Sequence, residues 1–171
     1  GNHPRRVEKA LGLNADATIL DLEDACPIAE KVATRAVVVA AYQRPHKGLG
    51  YVRVNAMSTE WGYGDIVAVV QRGVDGVILP KLETVDEIRA ADWLITNLER
   101  ERGLAAGTFD VIPIVVAPGI WRAFSIRRCQ KLQRAAASGY RDAGSTICAV
   151  STFSLWKPGS TPRRFAKLLI N

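Results

Sequence analysis

Four short apolar runs constrain this chain more than any other feature: ATILDLEDA (17–25), GYVRVNA (50–56), DGVILPK (75–81) and FDVIPIVV (109–116). Strands that are apolar almost throughout belong in parallel sheets covered on both faces, where neither side of the strand meets water. The stretches around and between them read as helices over 3–13, 27–42, 65–73 and 85–103. Pro4 and Pro27 stand in first turns, where a missing N–H is tolerated. Gly73 is a C-terminal cap signal. Ile88, Ala91, Leu94, Ile95 and Leu98 keep the i, i+3, i+4 rhythm of a half-buried helix. The expected class is therefore α/β, either an open doubly wound sheet or a (β/α) TIM-type barrel. Neither GxGxxG nor GxxxxGK(S/T) occurs, which removes the usual support for a nucleotide fold.

The polar residues choose between the two architectures. Glu23 and Asp24 close the first run, Arg53 and Asn55 the second, and Lys81 and Glu83 follow the third. Barrel enzymes carry their working residues at the C-terminal ends of strands, so the barrel is preferred.

Each of these groups has a functional and a plainer reading. Glu23 and Asp24, with Asp21, form a carboxylate cluster; Asp21 and Glu23 share a strand face in this reading. Crowded carboxylates repel unless a cation or a proton neutralises one, which suits a hard-cation site. The plainer reading is a solvated strand end with Asp24 capping the next helix. Arg53 sits between Val52 and Val54 and needs a polar cavity or a partner. Its planar guanidinium suits a two-pronged grip on a carboxylate; the alternative is an internal ion pair with Glu23 or Asp24. Lys81 and Glu83 could equally be a structural pair at a loop. His3 and His46 are expected in solvent. Cys26 has no paired histidine, which disfavours nucleophilic catalysis.

Composition adds exclusions. At 171 residues and 48% hydrophobic, the chain is long enough to bury a real core. No apolar run approaches the roughly 18 residues of a membrane span. Residues 1–6 lead into a polar helical pattern rather than a leader peptide. Cys26, Cys129 and Cys148 are scattered, without the spacing of a zinc site or a disulfide framework, so a cytoplasmic setting is expected. The net charge of +6 is uneven: residues 1–116 carry 13 basic and 16 acidic residues, and residues 117–171 carry 10 basic and one acidic. The basic tail includes Trp121, Phe124 and Trp156, so it could stack on bases as well as hold phosphates. A solvated face is the preferred reading, and nucleic acid is not an expected partner. Within the tail, 120–140 reads as a helix, 145–153 as a strand and 162–170 as a last helix.

Five ordered motifs carry a resemblance. They are GNHPRRVEKAL, ATILDLEDA with the AEK and Arg that follow, YVRVNAM followed by Trp-Gly, DGVILPKLET, and VIPIV. Together they resemble the citrate lyase β-subunit-like group of the HpcH/HpaI aldolase superfamily, over residues 1–116. The resemblance implies a (β/α) barrel that makes or cleaves carbon–carbon bonds next to a carbonyl. It implies citryl- or malyl-type acyl-CoA or keto-acid substrates, Mg2+ as cofactor, and a homotrimer or homohexamer. Arg53 then binds the substrate carboxylate, with Asn55 beside it. Glu23 and Asp24 lie beside the metal-bound water and substrate, and Lys81 and Glu83 shape the site. Gly1, Asn2 and Pro4 lie near the acyl-CoA entrance.

The chain departs from that pattern after VIPIV. A metal-ligating glutamate is expected there, and Val116 and Ala117 stand in its place. No aspartate motif for the second ligand is found, since Asp142 has the wrong context. No metal ligand is therefore assigned. The barrel is expected to be incomplete, lacking its first strand and its last strands, with residues 117–171 either foreign to it or completing it. Incomplete closure leaves strand edges open, to be paired by another copy unless the tail stays unordered. Weak or absent lyase activity is expected, and a non-catalytic module that holds an acyl-CoA or keto-acid is the alternative.

Overall fold

The computed structural model describes residues 1–13, 15–115 and 169–170. Strands β1 (Ala17–Asp21), β2 (Leu49–Arg53), β3 (Gly76–Leu82) and β4 (Asp110–Val115) alternate with helices α1 (Pro4–Leu11), α2 (Lys31–Tyr42), α3 (Gly62–Val69) and α4 (Val85–Glu101). A 3-10 turn, Ile28–Glu30, leads into α2. All strand pairs are parallel, in the order β4-β3-β2-β1, and β5 (Leu169–Ile170) adds to the outer edge of β1. The α/β class and the parallel sheet are as the apolar runs predict.

The sheet sorts its residues by the strand period of two. On one face Leu20, Val52, Val54, Val77, Leu79 and Val111 pack against helices in the main core, with Val38, Ile66, Ala91 and Ile95. On the other, Ala17, Ile19, Tyr51 and Ile78 form a second cluster, with Leu49, Ile112 and Ile114 at its border. In a barrel this second face is the interior.

Several local expectations are corrected. Strand β1 ends at Asp21, so Glu23 lies beyond the strand, where its amide turns back onto the Asp21 carboxylate. Strand β2 ends at Arg53, which puts Asn55 past the strand rather than on its face. Helix α3 spans Gly62–Val69, and Gly73 (φ +90°) belongs to the turn after it, not to the cap. Of the helix expected over 162–170, residues 162–168 lie outside the described residues, and Leu169–Ile170 are strand paired with the outer edge of β1. The helix expected at 120–140, the strand at 145–153, Val116 and Asp142 lie outside the described residues. Among the described residues no helix is long and apolar enough to cross a membrane.

Candidate functional site

The in-register pairing of β1 with β2 sets Asp21 directly opposite Arg53 at the C-terminal end of the sheet. Both side chains belong to the set that points to the interior face, with Ile19 and Tyr51 two residues before them. Arg53 grips Asp21 with two prongs, Nε to Oδ1 at 2.8 Å and Nη2 to Oδ2 at 2.6 Å. Asp21 Oδ1 also accepts from Glu23 N at 2.8 Å, and Oδ2 from Ala25 N at 3.0 Å. Burial pushes the Asp21 carboxyl up, but the hydrogen bonds from Arg53 and the Glu23 amide outweigh it and hold the group below its ordinary value. The same pair raises Arg53 above its ordinary range.

Two arms of Arg53 are thus committed, and the third faces two more acids. Nη1 lies 3.3 Å from Glu23 Oε2 and 3.6 Å from Asp24 Oδ2. Lys81 reaches the same acids from β3, at 2.9 Å from Glu23 Oε1 and 3.5 Å from Asp24 Oδ1. The Glu23 contact is an ion pair without hydrogen-bond alignment, which leaves that buried oxygen without a bonded donor. The pairing raises the Lys81 pKa, chiefly through Glu23. Lys81 takes φ +53°, in the left-handed region that a non-glycine residue seldom enters. The register of β3 with β4 shifts at the same place. Glu23 is buried, whereas the side chains of Asp24 and Lys81 stay open, at 64% and 59% exposure.

Asn55 is buried below this cluster and donates from Nδ2 to Leu22 O at 2.9 Å and Asp65 Oδ2 at 2.7 Å. Asp65, fully buried, also accepts from Asn55 N at 2.8 Å and Arg35 Nε at 2.7 Å. Lys31 donates to Leu22 O, Glu23 O and Asn55 Oδ1 at 3.0, 2.7 and 2.6 Å. Lys31, Arg35 and Asp65 were given no role from the sequence. The available signal was the spacing of Lys31 and Arg35, one helical turn apart on α2, which sets both on one face.

The remaining candidates divide. The backbone nitrogen of Gly1 donates to Asp21 O at 2.7 Å, and Asn2 Nδ2 donates to Glu30 Oε2 at 3.0 Å, so both flank the end of β1. Pro4 instead lines an apolar groove between α1 and α2, with Val7, Val37 and Ala40. Glu83 is exposed, and its described contact is a backbone one, its amide donating to Glu87 Oε2 at 2.8 Å. It therefore stands apart from Lys81, whose partners are Glu23 and Asp24. Asp24 does not cap the next helix; Pro27 precedes the 3-10 turn and no side chain caps it. His3 is exposed as expected, but His46 is half-buried, with its ring 5.2 Å from that of Tyr42. Cys26 is buried, with Sγ 3.4 Å from Thr34 Oγ1.

Among the described residues no three acids, histidines or cysteines are arranged to hold a metal ion. The strand-end carboxylates Asp21, Glu23 and Asp24 are paired with Arg53 and Lys81, three acids against two cations. No Mg2+ ligand set is complete among the described residues.

Comparison with known proteins gives a consistent picture. The family profile of HpcH/HpaI aldolase/citrate lyase matches residues 1–143, which runs past the last motif quoted above. The citrate lyase subunit beta of Leuconostoc mesenteroides is 39% identical over 110 residues, covering 63% of this chain and 36% of that protein. The (3S)-malyl-CoA thioesterase of Cereibacter sphaeroides is 38% identical over 100 residues, 57% of this chain and 35% of that one. The citrate lyase subunit beta of Escherichia coli is 35% identical over 145 residues, 83% and 48%. The chain thus spans between about a third and a half of the length of these relatives. Among solved structures, the pyruvate/acetyl-CoA ternary complex of Haloferax volcanii malate synthase superposes with TM-score 0.62 at 18% identity, covering 71% of this chain and 37% of that one. The magnesium/glyoxylate complex of the same enzyme gives 0.61 at 18%, covering 81% and 44%. At that identity the likeness speaks for the fold.

Proposed function

We propose, from the premise that the chain belongs to the HpcH/HpaI aldolase/citrate lyase family, that the cluster around Arg53 holds the carboxylate of a keto-acid or of a citryl- or malyl-type acyl-CoA. One observation carries the reading. Two cations from neighbouring parallel strands, Arg53 and Lys81, converge on Glu23 and Asp24 where barrel enzymes bind substrate.

In this reading the residues take separate tasks. Asp21 fixes the plane of the guanidinium by taking Nε and Nη2, and leaves Nη1 facing the cluster. Asp24, the most exposed acid there, is the group a ligand carboxylate displaces. Lys81 then supplies a second positive charge from the adjacent strand. Cleavage of a carbon–carbon bond next to a carbonyl leaves its electron pair on an enolate, and preorganised positive charge lowers the cost of forming it. Asn55 and Glu23 keep the floor and wall of the site in place. Relatives named citrate lyase subunit beta and (3S)-malyl-CoA thioesterase support this substrate class. No Mg2+ ligand set is complete among the described residues, so no step is routed through it. Val116 stands where the family resemblance calls for a glutamate ligand, and lyase turnover by this chain is expected to be weak. A homotrimer or homohexamer in the cytoplasm is the accompanying proposal.

Titration calorimetry with oxaloacetate, with and without acetyl-CoA and Mg2+, tests the reading. Wild-type chain should bind, and Arg53→Lys, which cannot serve Asp21 and a ligand with one planar fork, should weaken binding by roughly tenfold or more. Absence of any oxaloacetate or acetyl-CoA binding would sink the proposal. Mg2+-dependent cleavage of a malyl or citryl thioester would separate an enzyme from the alternative, a non-catalytic binding module.

A further inference from the structure

The turn that carries Glu23 and Asp24 is fixed from two sides. Its amides, Glu23 N and Ala25 N, donate to the Asp21 carboxylate. Its carbonyls, Leu22 O and Glu23 O, both accept from Lys31 Nζ, at 3.0 and 2.7 Å. Successive carbonyls of an extended strand point to opposite sides, so two that converge mark the place where the chain leaves β1. Leu22 O also accepts from Asn55 Nδ2 at 2.9 Å and Glu23 O from the Cys26 amide at 3.3 Å, so Lys31 adds a charged donor to carbonyls that the turn already engages. An ammonium carries three donors, and Lys31 uses the third on Asn55 Oδ1 at 2.6 Å.

Lys31 itself is 6% exposed. Among the described residues no carboxylate lies at ion-pair distance from it. The face of the Trp61 ring stands 5.3 Å from Nζ. Burying a cation without a counter-ion is costly unless dipoles replace its water. An apolar side chain of similar length would fill the same space without that cost, but could not bind two carbonyls and an amide at once. Lys31 is also placed where it joins three parts of the molecule: α2, the turn after β1, and Asn55 after β2.

We propose that Lys31 is the positioning residue of the acidic turn, holding the Leu22 and Glu23 carbonyls and Asn55 so that the Glu23 carboxylate meets Arg53 and Lys81. The ligand part of this inference rests on the reading of Arg53 given above; the turn itself does not. With its backbone held, Glu23 is delivered to 3.3 Å from Arg53 Nη1 and 2.9 Å from Lys81 Nζ. Without Lys31, Leu22 O keeps Asn55 Nδ2 at 2.9 Å and Glu23 O keeps the longer bond from the Cys26 amide at 3.3 Å, but nothing ties both carbonyls and Asn55 Oδ1 to α2.

Amide hydrogen exchange on the 171-residue chain, compared between wild type and Lys31→Gln, tests the proposal. Protection at the Glu23 and Ala25 amides is expected to fall by roughly tenfold or more, while Val77 and Leu79 in β3 keep theirs. Lys31→Arg, which retains charge and donors, should recover part of the lost protection. Oxaloacetate affinity of Lys31→Gln should drop by about tenfold in parallel. Unchanged protection at Glu23 overturns the proposal. So does an equal loss across β2 and β3, which would make Lys31 a support of the whole sheet. If the wild-type chain binds no oxaloacetate, the substrate reading fails while the amide comparison still decides the role of Lys31.

Discussion

Four donors converge on the two oxygens of Asp21, two from Arg53 and two from the backbone of the following turn. A fully buried carboxylate satisfied this way is a fixed charge, and it sets the plane of the Arg53 guanidinium. The consequence for pH follows from the direction of its shift. Asp21 is held below its ordinary value of 3.8, so the stability it supplies is present above that pH and is lost as pH falls through the lower, folded value. Asp21→Asn should therefore cost about 3 kcal/mol in urea unfolding at neutral pH, because two arms of a largely buried guanidinium lose their carboxylate and keep only the longer contacts of Nη1 to Glu23 and Asp24. The gap between variant and wild type should close as the acid limb is reached. A gap of constant size down to pH 3, on the order of one unit below the ordinary carboxylate value, would contradict this assignment. At this scale the sequence showed which residues are chemically expensive. Arg53 between two valines needed a partner, but the candidates named were Glu23 and Asp24. The closest partner is Asp21, because the choice was made by the register across β1 and β2, which no local pattern records.

Among the elements, β3 carries a tight steric constraint. Gly76 lies against β4 and the interior ring of Tyr51; a Cβ there would meet the Asp110 carbonyl and stand 2.8 Å from both Asp110 Cβ and Tyr51 Cε1. Backbone cannot yield as a side-chain tip can. Gly76→Ala is expected to destabilise the fold by about 1–3 kcal/mol, read as a lower denaturation midpoint with unchanged slope. A neutral effect would mean that β3 and β4 are not paired as described. The long helix α4 has a local reason to begin where it does. Thr84 accepts from Glu87 N while Glu87 reaches back to the Thr84 amide, a reciprocal capping box. Element existence was legible throughout residues 1–115 because each strand and helix has its own period of apolar residues. Boundaries were less so. β1 and β2 stop at Asp21 and Arg53, before the polar residues that the extended reading included. They stop there because the chain turns to satisfy a buried carboxylate, which is a tertiary demand.

For the whole molecule, the sheet separates two environments: a helix-covered core and an interior face that ends in charge. The family match over residues 1–143 and the likeness to malate synthase folds agree with that layout. Charge is distributed to match. In the described residues Arg53 and Lys81 face acids, Arg35 faces Asp65, Arg89 faces Asp86, and Arg44 pairs with Glu8. A gel shift with random duplex at physiological salt is therefore expected to show no complex. A retarded band whose affinity falls steeply with salt would place a nucleic-acid surface on the basic tail. Apolar periodicity and strand-end charge are local properties, so the class, the order of elements and the end of the sheet where charge collects could be read along the chain. The pairings came with the fold: Asp21 rather than its neighbours on Arg53, Lys81 rather than Glu83 in the cluster, and Lys31 beneath the acidic turn. Those contacts join residues far apart in the chain, and they exist only after the parallel strands have paired in one register.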